Sequence, residues 1–343
     1  MALLYALNSV PTAGTYTTGM FGYSNGTKYD LSYFFAPKPI ITSSTVTISG
    51  SPTLSGFTNA NITATSYNNI NVTSGTLYRF TSNGSITLTS GSLKCYAVLI
   101  GPGGYGTNRT APICAGAGGA GILGYFDLTI NKTYNITINN GTNGSGTGSR
   151  GTTVQGNVTI VSSDSPTTVN LLANGANTTT NYSATDGTLG GTATVNGSGV
   201  ISYQSYSGGN GNYTNKLNGV TSSNGESGYT FTSTGNGMNI PNSPIFSDIS
   251  NLIGTSNSSA FGNSVAPSGF TTFGFGSGGA AATGASLGGG GGNYNRGGTV
   301  GTGGAAGNNA IGYGCGGGYP GSNSNIGGTG GAGAVFIYLS PNN

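Results

Sequence analysis

The sequence predicts an all-β fold, an antiparallel β-sandwich or jelly-roll-like body with packed glycine-rich segments of polyproline-II type. Three observations lead there. Short runs alternate apolar and polar residues, as in Leu77-Tyr-Arg-Phe-Thr81 and Ser85-Ile-Thr-Leu-Thr89, which is the two-residue period of a half-buried strand. No stretch carries the 3.6-residue period of a helix. Glycine supplies 68 of the 343 residues and concentrates in two tracts, 101–124 and 273–333. Such tracts serve either as flexible linkers or, when spaced with Ala, Tyr and Ile, as extended segments whose backbones approach closely because no Cβ intervenes.

Composition narrows the function classes. Charged residues are 4% of the chain, against roughly 25% in ordinary globular proteins, so Ser, Thr, Asn and exposed backbone must keep it in solution. The 20 Tyr and 13 Phe, with many Val, Ile and Leu, argue for order over disorder. A net charge of +3 comes from nine basic residues, no two adjacent, which leaves no electrostatic footprint for nucleic acid. No apolar run approaches the roughly 18 residues that cross a bilayer, so no membrane span is expected.

The opening Met1-Ala-Leu-Leu-Tyr-Ala-Leu-Asn8 lacks the basic start and long apolar core of a secretory signal. Asn-x-Ser/Thr triplets are nonetheless dense, among them those at Asn83, Asn131, Asn135, Asn157 and Asn196. They are the acceptor pattern of a glycoprotein, and also what chance yields in a chain so rich in Asn, Ser and Thr. A protein assembled inside a cell that later faces the outside, as the outer proteins of a virus particle do, reconciles the two features. The virion surface is therefore the expected location, with an extracellular or cell-surface site as the alternative.

Along the chain, residues 1–75 read as an N-terminal β arm or assembly module. It holds Pro11, Pro37, Pro39 and Pro52 and the β-type run Ile40–Ile48. Its Tyr5, Phe21, Tyr16, Tyr33, Phe34 and Phe35 either dock against a neighbouring molecule or fill a local core. Residues 76–343 read as a glycine-rich β domain with a loop-rich insertion at 162–267. Within that domain Asn83-Gly84 predicts a two-residue hairpin turn joining the runs 77–81 and 85–89. Lys94-Cys-Tyr-Ala-Val-Leu-Ile100 is apolar along most of its length, as a central strand buried on both faces would be. Further strands are expected at 122–130, 133–139, 152–161 and 335–339. In the insertion, Tyr203, Tyr206, Tyr213 and Tyr229 are candidate surface contacts, since tyrosine offers a rigid face and a hydroxyl at low entropic cost; the other reading places them in the β core. Cys95, Cys114 and Cys315 allow one pair and one free thiol, or three buried small apolar residues.

The hairpin Tyr78–Leu88, then Cys95-Tyr-Ala-Val-Leu-Ile-Gly-Pro-Gly-Gly104, then Gly116-Ala-Gly-Gly-Ala-Gly-Ile122, and finally Gly327-Gly-Thr-Gly-Gly-Ala-Gly-Ala-Val-Phe-Ile-Tyr338, resemble the glycine-rich domain of viral and phage tail or fibre proteins. The resemblance covers residues 77–161 and 273–340. It implies a β-sandwich with bundled glycine helices and adhesive or capsid-decorating roles, and it supplies no catalytic residues.

Little catalytic chemistry is available. The chain has no His, which removes the usual general base and the standard Ser and Cys nucleophile arrangements. The six acids, Asp30, Asp127, Asp164, Asp186, Glu226 and Asp248, are dispersed, so a glycosidase pair would need the fold to assemble it. Three scattered Cys without His do not complete a tetrahedral zinc site. Gly101-Pro-Gly-Gly-Tyr-Gly106 matches a dinucleotide-binding spacing, yet no amphipathic helix follows to receive a pyrophosphate. The expected function is non-enzymatic and cofactor-free: a minor capsid, spike or fibre component that contacts copies of itself, other capsid or surface proteins and host glycans. A secreted adhesin or extracellular filament subunit is the alternative.

Overall fold

The computed structural model describes residues 21–24, 27–30, 44–50, 53–55, 61–63, 66–72, 76–106, 113–143, 152–177, 182–183, 187–211, 213–214, 229–230, 234–235, 238–239, 274–276, 278, 309–310, 312–318 and 327–341. The chain divides into two compact units, Met1–Thr42 and Ser43–Asn343. In the first, Phe21–Ser24 and Thr27–Asp30 form an antiparallel ribbon.

The second unit is built on strands β1 (Ser44–Ser49), β2 (Thr53–Ser55), β3 (Asn61–Thr63), β4 (Ser66–Val72), β5 (Thr76–Phe80), β6 (Gly84–Ser90), β7 (Leu93–Ile100), β8 (Gly121–Leu128), β9 (Thr133–Asn139), β10 (Asn157–Ser162), β11 (Asn170–Asn174), β12 (Ala193–Asn196), β13 (Val200–Tyr206) and β14 (Ala334–Pro341). They form two seven-stranded sheets, ordered β13-β8-β7-β14-β5-β2-β3 and β12-β11-β10-β9-β6-β1-β4. Neighbouring strands in both run antiparallel. Among the described residues there is no helix, as the missing 3.6-residue period predicts.

Alternation explains the faces. Along β10, Val158 and Ile160 are buried while Asn157, Thr159 and Val161 are half-buried, and Leu171 and Ala173 repeat the pattern on β11. These side chains join Val46, Ile48, Ile86, Leu88, Tyr134 and Ile136 of the same sheet. From the other sheet come Tyr78, Phe80, Leu93, Cys95, Leu99, Ile122, Phe126, Val335, Ile337 and Leu339, all in one apolar cluster. A second cluster lies on the opposite face of the first sheet: Tyr96, Val98, Ile100, Leu123, Phe336 and Tyr338, with Phe275. Strands β7 and β14 are thus buried on both faces and sit side by side at the middle of their sheet, the position that the apolar run Lys94–Ile100 predicts.

Several boundaries differ from the sequence reading. The runs around Asn83-Gly84 do not pair as a hairpin: β5 and β6 belong to different sheets. Each buries its apolar face in the shared cluster, Tyr78 and Phe80 from one side and Ile86 and Leu88 from the other. Asn83 accepts the Ile138 N–H through Oδ1 at 2.8 Å, tying the crossing to β9. Strands β1 to β4, within the stretch read as an arm, hydrogen-bond into both sheets, and the compact unit begins at Ser43. The stretch read as a loop-rich insertion contributes β11, β12 and β13 to the sheets.

One end of both sheets continues into glycine segments that are neither helix nor strand. Residues 101–106 leave β7, 115–120 enter β8, 175–177 leave β11, 189–192 enter β12, 207–211 leave β13 and 327–333 enter β14. Their hydrogen bonds step by three residues. Gly101 and Gly104 donate to Ala120 and Ala117, both at 2.8 Å; Gly103 and Gly106 donate to Gly331 and Gly328 at 2.8 and 3.0 Å. Gly116 and Gly119 donate to Gly317 and Gly314 at 2.8 and 2.7 Å, and Gly328 and Gly331 donate to Gly318 and Cys315. A repeat of three, with partners in neighbouring segments and none within, is the signature of threefold extended helices lying antiparallel. Residues 115–120 run through the middle: Gly118 donates to Gly209, receives from Gly191, and Ala120 donates to Asn174.

Glycine is required there by contact. A Cβ on Gly118 would overlap the Gly276 carbonyl, and one on Gly317 the Gly328 carbonyl. Ala115, Ala117 and Ala120, all fully buried, occupy the places where a methyl fits. Gly317→Val should therefore force backbones apart and lower stability by about 1–3 kcal/mol or more; an unchanged melting temperature would show that the segment is loosely held. Gly290, the other position where such a test suggests itself from sequence, lies outside the described residues. In the second cluster Phe336, fully buried and edge-on to Tyr313 at 5.7 Å, should cost about 3–5 kcal/mol when cut to Ala, read by denaturant unfolding.

Candidate surface-contact site

Strand β13 carries two of the four candidate tyrosines. It forms the edge of the first sheet and pairs with β8, Tyr203 opposite Gly124 and Tyr206 opposite Gly121. Because side chains alternate, residues three apart point to opposite faces. Tyr203 is 44% exposed and Ile201, unpaired at the register shift, 55% exposed. Tyr206 is half-buried, packs against the second aromatic cluster and donates its hydroxyl to Gln204 Oε1 at 3.4 Å. A register shift between Tyr125 and Phe126 places Val200 opposite Phe126, which turns Val200 toward the inter-sheet core. Tyr203 and Tyr206 therefore form no common platform. The backbones of Tyr213 and Tyr229 lie in two-residue ladders with Cys114 and Phe275, and their side chains lie outside the described residues. So do Tyr5, Tyr16, Tyr33, Phe34 and Phe35 and the side chain of Phe21.

The structure also groups aromatics that sequence reading leaves apart. Tyr125, Tyr96 and Tyr338 lie directly opposite one another on β8, β7 and β14. Tyr96 stacks on Tyr125 with centroids 4.7 Å apart and an 11° interplanar angle, and tilts against Tyr338 at 6.2 Å. Burial, first, and the neighbouring Tyr125, Tyr338, Asp127 and Cys95 hold the Tyr96 hydroxyl above its ordinary range. Burial does the same for Tyr125, with Asp127 adding to it. This row depends on strand register across three distant segments, so no local pattern reveals it.

Cys95 and Cys315 are buried. Burial, with Asp127 adding to it, pushes the Cys95 thiol far above its ordinary range, so it is held as the unreactive neutral form. The segment Gly101–Gly106, whose spacing imitates a nucleotide loop, commits all four glycine N–H groups to carbonyls of the bundle. It serves packing.

Polar side chains gather at the opposite ends of β9 and β10. Asp164 accepts from Lys132 Nζ at 2.7 Å, from Thr168 Oγ1 at 2.6 Å, from the Thr168 N–H at 3.2 Å and from Ser162 Oγ. Ser162 Oγ also accepts the N–H groups of Thr168 and Val169. Hydrogen bonds from Lys132, Ser162 and Thr168 hold the Asp164 carboxyl well below the usual carboxylate range. The knot fastens the 163–168 turn to the loop before β9.

Among the described residues no group of three or more His, Cys, Asp or Glu is placed to hold a metal ion, and no helix is long and apolar enough to cross a membrane. Comparison with protein-family models, curated proteins and solved structures gives no match to this chain.

Two measurements separate these roles. Tyr203→Ser should leave the unfolding free energy within about 0.5 kcal/mol of the parent, whereas Tyr206→Ser should lose on the order of 1–2 kcal/mol of packing; equal effects would mean that both share one environment. Asp164 binds its proton less tightly folded than unfolded, so its contribution is complete above the ordinary carboxylate value near 4 and disappears as pH falls below it. The stability difference between the parent and Asp164→Asn should accordingly shrink from pH 7 to pH 3 in paired thermal melts. A constant difference would remove the carboxylate from the explanation.

Proposed function

We propose that this chain is a non-enzymatic structural protein of a virus-particle surface, a minor capsid, spike or fibre component that assembles with copies of itself and with other surface proteins. The observation that carries this reading is the glycine bundle: its segments join both sheets chiefly through backbone hydrogen bonds, a construction that supplies rigidity and shape without placing functional side chains. The absence of His from the sequence and the sequence resemblance to glycine-rich tail and fibre domains favour the same reading. Exposed Tyr203 and Ile201 offer the kind of rigid, uncharged contact that a protein or glycan partner engages.

Mass spectrometry of purified particles from the producing cells tests this reading, and repeated absence of the chain from them would exclude it. The self-assembly component has its own test. Residues 1–42 form a compact unit of their own, so their deletion should leave the melting transition in place while lowering the mass measured by light scattering. A truncation at 75 would instead remove β1 to β4 and damage both sheets.

A further inference from the structure

The order in which strands enter the first sheet differs sharply from their order in space. Strand β14 lies between β7 and β5, which do not pair with each other. It makes eight register pairs with β7, from Ala334–Ile100 to Pro341–Leu93, and five with β5, from Val335–Phe80 to Leu339–Thr76. Every other strand of the two sheets ends by Tyr206. Synthesis therefore produces thirteen of the strands before the one that fills the middle of a sheet.

We infer that residues 334–341 are the closing element of the fold, and that the two-sheet unit stays open until they are inserted. Before insertion, the slot between β5 and β7 presents two unpaired strand edges. Its floor and roof are incomplete as well. Val335, Ile337 and Leu339 belong to the inter-sheet cluster, and Ala334, Phe336 and Tyr338 to the cluster on the other face; all six are buried. Removing them would strip cover from Tyr78, Phe80 and Leu99 on one side and from Tyr96 and Val98 on the other.

The glycine segment that precedes the strand aims it. Gly328 and Gly331 donate to Gly318 and Cys315 and receive from Gly106 and Gly103, while Gly333 donates nothing to the bundle and instead reaches Asn140 Oδ1 at 2.8 Å. The chain is thus fastened to the exit of β7 and to the end of β9 immediately before it enters the slot. Closing so long a loop carries an entropic cost that only the completed pairing offsets, which makes insertion late and cooperative.

The experiment uses stalled ribosome complexes carrying the whole chain followed by flexible linkers of increasing length, probed by limited proteolysis. Cleavage within residues 43–206 should slow by roughly tenfold or more only when the linker lets residues 334–341 leave the exit tunnel. Protection of that region while those residues remain inside would overturn the inference. A parallel series bearing Ile337→Asp, which puts a charge into the slot, should remain cleavable at every linker length; protection at any length would equally overturn it.

Discussion

The architecture rests on the close approach of backbones in the glycine bundle. Buried N–H and C=O groups must find partners, and in a sheet they find them in two directions only, across the two edges of a strand. A threefold extended segment turns its groups in three directions, so one segment can be tied to several neighbours at once. Residues 115–120 show the result: the segment is bonded to 101–106, to 314–317, to Gly209, to Gly191 and to Asn174. Since those neighbours include segments that adjoin β7, β11, β12 and β13, the bundle fixes the relative stagger of strands that belong to different sheets. A sheet edge could not do this.

Beyond the bundle the second sheet is ordinary in its physics, with apolar side chains toward the shared core and uncharged polar ones outward. That division also accounts for part of the density of acceptor triplets. In β9, Asn135 and Thr137 are exposed with Ile136 buried between them, and in β10 Asn157 and Thr159 flank buried Val158. When outward positions are filled from Asn, Ser and Thr, two-residue alternation writes Asn-x-Thr by itself. Hydroxyl pairs across strands, Ser49 with Ser85 at 2.7 Å and Thr87 with Thr133 at 2.9 Å, replace the ion pairs that a more charged chain would use there.

How much of this is legible in the sequence follows from the range of each signal. Period-two runs mark β6, β9 and β10, and the apolar run at 94–100 marks a central strand, because those properties are local. Asn83-Gly84 misleads for the same reason: a favoured turn pair says nothing about whether the flanking strands share a sheet, and here both sides of a single core claim them. The glycine tracts are legible as candidates for packing, but the identity of each contact is not, since glycine carries no side chain to specify a partner. Of the tyrosine set, the opposite facing of Tyr203 and Tyr206 is implicit in their odd spacing, whereas the exposure of one and the docking of the other depend on β13 lying at an edge. The row Tyr125–Tyr96–Tyr338 needs the register of three strands and lies beyond any reading of single segments.

The glycine content then has a definite physical meaning. Glycine loses more conformational freedom on folding than any other residue, so a bundle of this kind is costly to order, and its short segments bury few side chains to offset that cost. The offset comes from the strands to which the segments are joined. Ile100, Ile122 and Val335, immediately beside the bundle, are fully buried, so the apolar core anchors the ends of the segments and leaves each with only a few residues to order. Bundle and core are therefore stable only together: the core holds the glycine segments in line, and the segments hold the strands of two sheets in register around the core.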